Sequence, residues 1–195
     1  LPIWNLRDDL AMTWRPWLVS HVGADLIYSA YDYDVKVAGY PASTLTDKEF
    51  SDLGAYASLE VRPRPALLLV PGVRRDYYHH LDKARTNLRA SLRWDYRDGR
   101  VLTASAGGYN QGPRPIGQST DPVYGNPDLP PTTARHLTLG HEWRLDRGWS
   151  LKIEGYYNTQ DDVTAFADTA DVNFLPDAEA RMYGLELLLR REQRG

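Results

Sequence analysis

The chain has 195 residues, of which 42% are hydrophobic and 25% charged, with a net charge of −3 and no cysteine. That balance excludes simple disorder, a disulfide framework, a thiolate metal site and a basic nucleic-acid surface. The length permits one domain or two small ones.

The aromatic residues are unusual in kind, with 13 Tyr and 6 Trp against 3 Phe. Amphipathic rings suit positions that are apolar on one side and wet on the other. No run approaches the roughly 18 apolar residues of a membrane helix. The longest, PALLLVPGV, is cut by Pro71. The chain opens on LPIWN with no signal peptide and closes on LLLRREQRG inside an alternating pattern. The expectation is an internal piece of a longer protein.

Period-two alternation runs almost throughout, which predicts strands. A first strand ends at a short turn near WRPW (14–17). WLVSHVGADLIYSAYDYDV then reads as one strand far longer than the roughly five or six residues usual in soluble sheets. A polar connection over 37–52 leads to LGAYASLEVR, with Ala55, Ala57, Leu59 and Val61 opposing Tyr56, Ser58, Glu60 and Arg62. A short turn at RPRP (62–65) and a longer connection at 80–86 frame the next strand. In TNLRASLRWDY, Leu88, Ala90, Leu92 and Trp94 oppose Asn87, Arg89, Ser91, Arg93 and Asp95, before a turn at RDGR (97–100).

After a long polar connection (110–132), Leu137, Leu139, Trp143 and Leu145 oppose His136, Thr138, Glu142 and Arg144. LDRG (145–148) turns the chain into a strand with Trp149, Leu151, Ile153 and Tyr157 on one face and Ser150, Lys152, Glu154 and Asn158 on the other. A connection over 164–178 precedes RMYGLELLLR, where Tyr183, Leu185, Leu187 and Leu189 oppose Gly184, Glu186 and Arg190. The predicted fold is all-β, an antiparallel up-and-down meander of about nine long strands. Short turns gather at one end and long connections at the other.

A soluble β-sandwich also alternates, but has no reason to place every short turn at one end. A transmembrane β-barrel needs that arrangement, with lipid against the apolar face, a wet lumen against the charged one, and closure satisfying the backbone. Trp14, Trp17, Trp94, Trp143 and Trp149 all lie near short turns, where an interfacial girdle belongs.

The same residues resemble the TonB-dependent receptors of Gram-negative outer membranes. YGNPDLPPTTARHLTLGHEWRL with GWSLKIEGYYN looks like the segment that these receptors carry late in the barrel, and ARMYGLELLLRR is similar to the strand that follows. SLEVRPRPALLLVPGVRRDYY resembles a family hairpin, with Val61 in place of the usual aromatic, and LTASAGGYNQGPRP a strand rising toward the ligand-facing mouth. The resemblance implies an outer-membrane, multi-pass barrel that takes up a scarce nutrient (siderophore-like, cobalamin or oligosaccharide) with TonB-supplied energy. Its implied partners are that ligand, outer-membrane lipid and lipopolysaccharide, and the TonB complex through a plug segment. A complete receptor of this kind has roughly 22 strands around a plugged lumen. Residues 1–195 are therefore expected to be a partial barrel domain without plug or terminal strands, forming an open curved sheet. The alternatives are a passive porin, a structural or adhesive barrel, and a soluble sandwich module.

Tyr109, Asn110, Gln111 and Arg114 stand in a Gly/Pro-stiffened stretch, GGYNQGPRPIGQ, and with Asp76 and Tyr78 are the candidate ligand-binding residues. Aromatic, amide and guanidinium groups suit a polar, anionic ligand. The competing reading makes Arg74, Asp76, Arg89, Arg93 and Glu186 a ladder of luminal salt bridges.

His79 and His80, neighbours on a strand, would point to opposite faces and are expected as solvated loop residues rather than a chelating pair. His136 and His141 likewise fall on opposite faces, with His141 interrupting the outward row near headgroup level. Asp121, Asp128, Asp161, Asp162, Asp171 and Asp177 fall in the long connections, without EF-hand spacing, and are expected on a solvated surface. No hydrolase elbow, phosphate loop or zinc-protease motif occurs. The expectation is no enzyme activity, no cofactor and no metal.

Overall fold

The computed structural model describes residues 3–36, 42–114, 116–167 and 173–192. Nine strands follow one another in chain order: β1 (Ile3–Arg15), β2 (Leu18–Val35), β3 (Ser43–Arg64), β4 (Leu67–Tyr78), β5 (Lys83–Arg97), β6 (Arg100–Gln111), β7 (Thr132–Arg144), β8 (Trp149–Phe166) and β9 (Phe174–Arg191). They form a single antiparallel sheet in the order β1-β2-β3-β4-β5-β6-β7-β8-β9, each strand bonded to its neighbours in sequence. β1 and β9 are edges, so the sheet is open.

Register keeps the apolar residues together. Leu26 lies opposite Leu53, Val73 opposite Leu88, Leu92 opposite Ala104, Leu139 opposite Gly155, and Ile153 opposite Leu187. This face remains bare: Leu88 is 73% exposed, Leu185 68% and Leu187 66%. In water such a surface is strongly unfavourable; against lipid it is matched. The accessible area of 13495 Å² exceeds the roughly 9,400 Å² expected of a compact monomer of this mass.

The opposite face carries charge and lies on the inside of the curve. Nine strands laid flat would put the edges about 38 Å apart, yet Ile3 of β1 and Phe174 of β9 line one cavity on this face. The sheet is therefore curled, with its polar face concave.

Two-residue connections at one end join β1 to β2, β3 to β4 and β5 to β6, and a four-residue one joins β7 to β8. Arg147 and Gly148 (φ 59° and 77°) supply the left-handed conformation that closes the β7–β8 turn. The strands overrun the predicted connections at the other end. The 80–86 connection is only a one-turn 3-10 helix, His79–Leu81, closed by Asp82 at φ 49°. β3 reaches back to Ser43, so most of the expected 37–52 loop is strand, and Asp161, Asp162 and Asp177 lie in β8 and β9 rather than in loops. Asp171 lies outside the described residues.

At the short-turn end of the apolar face sits an aromatic girdle. His141 packs between Tyr96, whose hydroxyl is 2.7 Å from its Nε2, and Trp143, with ring centroids at 3.8 Å. Trp94 lies 5.5 Å from Tyr96. His141 does stand in the outward row, opposite Leu102 and Ile153.

Candidate functional site

Apart from Val101 near the short-turn end, the buried core gathers at the long-connection end of the concave face. Phe50, Tyr78, Leu81 and Leu129 are almost fully enclosed there, together with Ser43, Ser119, Asn126 and Pro131. What covers them is the β6–β7 connection, residues 112–131, which folds onto the polar face. Its short α1 (Gly117–Thr120) and following turns are pinned to three strands. Ser43 Oγ donates to Asp121 Oδ2 at 2.7 Å, Lys83 Nζ to the Asp128 carbonyl at 2.6 Å, and Asn126 Nδ2 to the Phe174 carbonyl at 2.8 Å. Asp121 Oδ1 also accepts from the amides of Val123 and Tyr124. Asp121 is thus an organiser of the connection rather than a solvated surface charge, and Leu129 fills its centre.

Below this strap lies a cavity of about 530 Å³. Ile27, Tyr31, Phe50 and Tyr124 make apolar walls, and Asp52, His80, Arg114 and Gln118 the polar ones. His80 departs from the expected solvated loop residue. The 3-10 turn directs its ring inward, where the side chain is only 6% exposed and meets Phe50 edge-on at 5.4 Å. Neither ring nitrogen has a hydrogen-bond partner; Nδ1 is 3.6 Å from Asp52 Oδ1, which is itself unpartnered, as is Gln118 Oε1. Burial, reinforced by Arg114 and then by the neighbouring His79, holds His80 below its ordinary pKa of 6.5, so the ring is neutral. Neutral imidazole, carboxylate and amide oxygens offer a ligand several acceptors and, from one imidazole nitrogen, a donor.

Adjoining the cavity, a hydrogen-bonded chain crosses three strands. Arg74 Nη2 donates to both carboxylate oxygens of Asp25 at 2.7 and 2.8 Å, and Arg74 Nε to Asp76 Oδ1 at 2.8 Å. Asp76 Oδ2 accepts from Asn110 Nδ2 at 2.9 Å, and Tyr78 donates to Asn110 Oδ1 at 2.7 Å. Three of the six predicted residues, Asp76, Tyr78 and Asn110, are therefore joined in one network.

Tyr109 stands beside it, stacked at 4.2 Å on the Arg89 guanidinium and 4.5 Å from the His136 ring. Strict alternation would send adjacent Tyr109 and Asn110 to opposite faces; both meet groups of the concave face. The β5–β6 ladder ends at Arg89 and Gly107, and the Gly107–Gly108 pair lets Arg89 and Asn87 approach the strand closely. Gln111 and Arg114 are exposed and line the shallow depression that connects network and cavity. Residue order gave no sign of His80, Asp52 or Gln118 as a group; they come from three segments and meet only once the strap is folded. Among the described residues no cluster of three or more His, Cys, Asp or Glu is placed to hold a metal ion.

A curled antiparallel meander with a bare apolar outer face, an aromatic girdle and a charged concave face is the wall of a transmembrane β-barrel. The β-barrel model of TonB dependent receptor-like proteins matches residues 3–192, and the chain belongs to that family. Its members are outer-membrane receptors and transporters rather than enzymes. No curated protein matches the sequence significantly.

Solved structures share the fold at low identity. The siderophore receptor PirA from Pseudomonas aeruginosa is 18% identical at a TM-score of 0.77, over 96% of this chain and 36% of that one. The FrpB iron transporter from Neisseria meningitidis is 12% identical at 0.74, over 99% and 34%. The copper transporter OprC is 17% identical at 0.73, also over 99% and 34%. The chain thus spans about a third of the length of these proteins.

Proposed function

We propose that the chain is one stretch of wall in a Gram-negative outer-membrane receptor that binds a scarce nutrient and takes it up with energy supplied through TonB. The strands would continue around a full barrel enclosing a plug, and the plug would carry the TonB contact. A siderophore-like ligand is favoured over cobalamin or an oligosaccharide. The supporting observation is the strapped cavity, where aromatic walls flank the unpartnered acceptors of His80, Asp52 and Gln118 and the Arg114 cation. A ligand with planar rings, hydroxyl donors and net negative charge satisfies all of these at once. The depression formed by Asp76, Tyr78, Asn110 and Gln111 extends the same surface, with Tyr109 at its rim.

The test is equilibrium binding to the full-length receptor in detergent, against ferric siderophores, cobalamin and oligosaccharides. Tight binding of a ferric siderophore, weakened about tenfold by Arg114→Ala, is the expected result, since a charge-assisted contact is lost. Binding of cobalamin or an oligosaccharide alone would reassign the ligand. Binding unaffected by Arg114→Ala and Gln118→Ala together would remove the cavity from the site.

A further inference from the structure

Three buried lone-pair donors meet in the strapped cavity without a hydrogen bond to occupy them. Asp52 Oδ1, His80 Nδ1 and Gln118 Oε1 all belong to its lining, and none has a partner. They come from three segments: Asp52 from β3, His80 from the 3-10 turn and Gln118 from α1 of the strap. The His80 side chain is only 6% exposed and faces Asp52, so bulk water does not solvate its ring. Buried polar atoms left unmatched in this way are costly. One cation satisfies all three at once.

Spacing decides which cation. Zinc holds imidazole nitrogen at about 2.0–2.1 Å and carboxylate oxygen at about 2.0–2.2 Å. A tetrahedral ion therefore sets the two atoms roughly 3.4 Å apart, and an octahedral or square-planar ion roughly 2.9 Å. His80 Nδ1 and Asp52 Oδ1 stand 3.6 Å apart, close to the tetrahedral value. Calcium and magnesium call for about six or more oxygen ligands, whereas imidazole with few oxygens and no thiolate suits a borderline divalent ion. His80 and Asp52 are two ligands rather than a full set; the amide oxygen and water supply the rest.

The charges around the pair are mixed. Arg114 lines the same cavity, near enough for its charge to act on both Asp52 and His80, and it opposes a cation. It is exposed, so solvent weakens that repulsion. Asp121 adds negative charge to the lining, although Ser43 and two backbone amides engage its oxygens.

We propose that His80 Nδ1 and Asp52 Oδ1, completed by Gln118 Oε1 and water, bind an unchelated, zinc-like divalent cation in the strapped cavity. The proposal shares its cavity with the receptor reading but not its chemistry, since a bare cation and an anionic chelate exclude one another there. Because Gln118 belongs to the strap, the ion also ties the strap to β3 and the 3-10 turn.

The experiment is isothermal titration calorimetry on full-length receptor in detergent, cleared of metal by chelator, with zinc, magnesium and calcium chloride in turn. Zinc should bind at least about tenfold more tightly than either other ion. His80→Gln and Asp52→Asn should each weaken zinc at least about tenfold, since a lost ligand costs no less than a lost supporting contact. His79→Ala, on the exposed side of the same turn, should leave zinc binding intact. Zinc should slow proteolysis within residues 112–131 of wild-type receptor and not of the His80 and Asp52 variants. Arg114→Ala separates the two readings: it weakens an anionic siderophore but should tighten zinc about threefold or more, a gain that misfolding does not produce. Zinc held no better than magnesium or calcium, zinc binding unchanged in both His80→Gln and Asp52→Asn, or zinc weakened by Arg114→Ala would each overturn the proposal. The siderophore measurements bear on the receptor reading alone.

Discussion

Arg74 on β4 reaches across β3 to hold both carboxylate oxygens of Asp25 on β2, at 2.7 and 2.8 Å, with side chains 24% and 17% exposed. The residue between them is Gly54. A Cβ built there falls on Arg74 Nη2 and Asp25 Oδ1, so only glycine lets the pair meet over the strand. Gly54→Val should break this contact and leave the largely enclosed Asp25 carboxylate unmatched, while Arg74 keeps Asp76. A loss of about 2 kcal/mol is expected, below that of a fully buried pair because water reaches both groups. Asp25→Asn should cost less than Gly54→Val, since it keeps an acceptor in place. Denaturant titration of the full receptor in detergent measures both; equal effects would show that the glycine serves another purpose.

The two faces differ in what they tolerate. Leu139 points to lipid and is 58% exposed, whereas its neighbour Thr138 lies on the concave face opposite Ser105. Leu139→Arg near mid-membrane should destabilise the folded barrel by about 2–4 kcal/mol, while Thr138→Arg should cost well under half of that. Urea unfolding in lipid vesicles reads the difference. A reversed order would mean that the faces are assigned the wrong way round.

The number and order of strands were readable because each strand inside the membrane must alternate, and alternation is a local property of sequence. Strand ends were not. Above the apolar band, stretches such as YSAYDYD on β2 are polar or amphipathic on both faces. No hydrophobic contrast then marks where strand gives way to loop, although the ladder continues to Val35 opposite Ser43. The site failed to show for a related reason. NPDLPP has the composition of an exposed loop, yet Leu129 is wholly buried, and the one available signal was an isolated leucine among turn residues. His80 was misread because the opposite-faces rule applies to a strand, and His79–Leu81 is a 3-10 turn.

Stability of the strap should depend on pH through His80. Its folded-state pKa lies below the ordinary 6.5 because burial opposes the charge, as do Arg114 and His79. The unfolded chain therefore binds the proton more readily. The stabilisation is fully present above pH 6.5 and declines as pH falls below it toward the folded-state value, by at most about 1.4 kcal/mol per pH unit. The protection factors of the Asn126 and Leu129 amides, exchange corrected for the intrinsic rate at each pH, should fall between pH 7 and pH 5 in wild-type receptor. In His80→Phe that fall should flatten. A slope unchanged by the substitution would place the proton elsewhere.

Asn126 ties the strap to β9 and braces its own turn. Its Nδ2 donates to the Phe174 carbonyl at 2.8 Å, and its Oδ1 accepts from the Asp128 amide at 2.9 Å, in a side chain that is almost enclosed. Asn126→Ala deletes both bonds and strands a part-buried carbonyl, at a cost of about 1–3 kcal/mol. Because the sheet is held by its own ladders, that loss should fall on the strap alone. Limited proteolysis should then cut within residues 112–131 while strand content by circular dichroism stays level. Asn126→Asp keeps the acceptor for Asp128 but loses the donor to Phe174, so it should give intermediate protection. Loss of strand content together with strap protection would instead make residues 112–131 part of the folding core, with the sheet dependent on the strap that covers it.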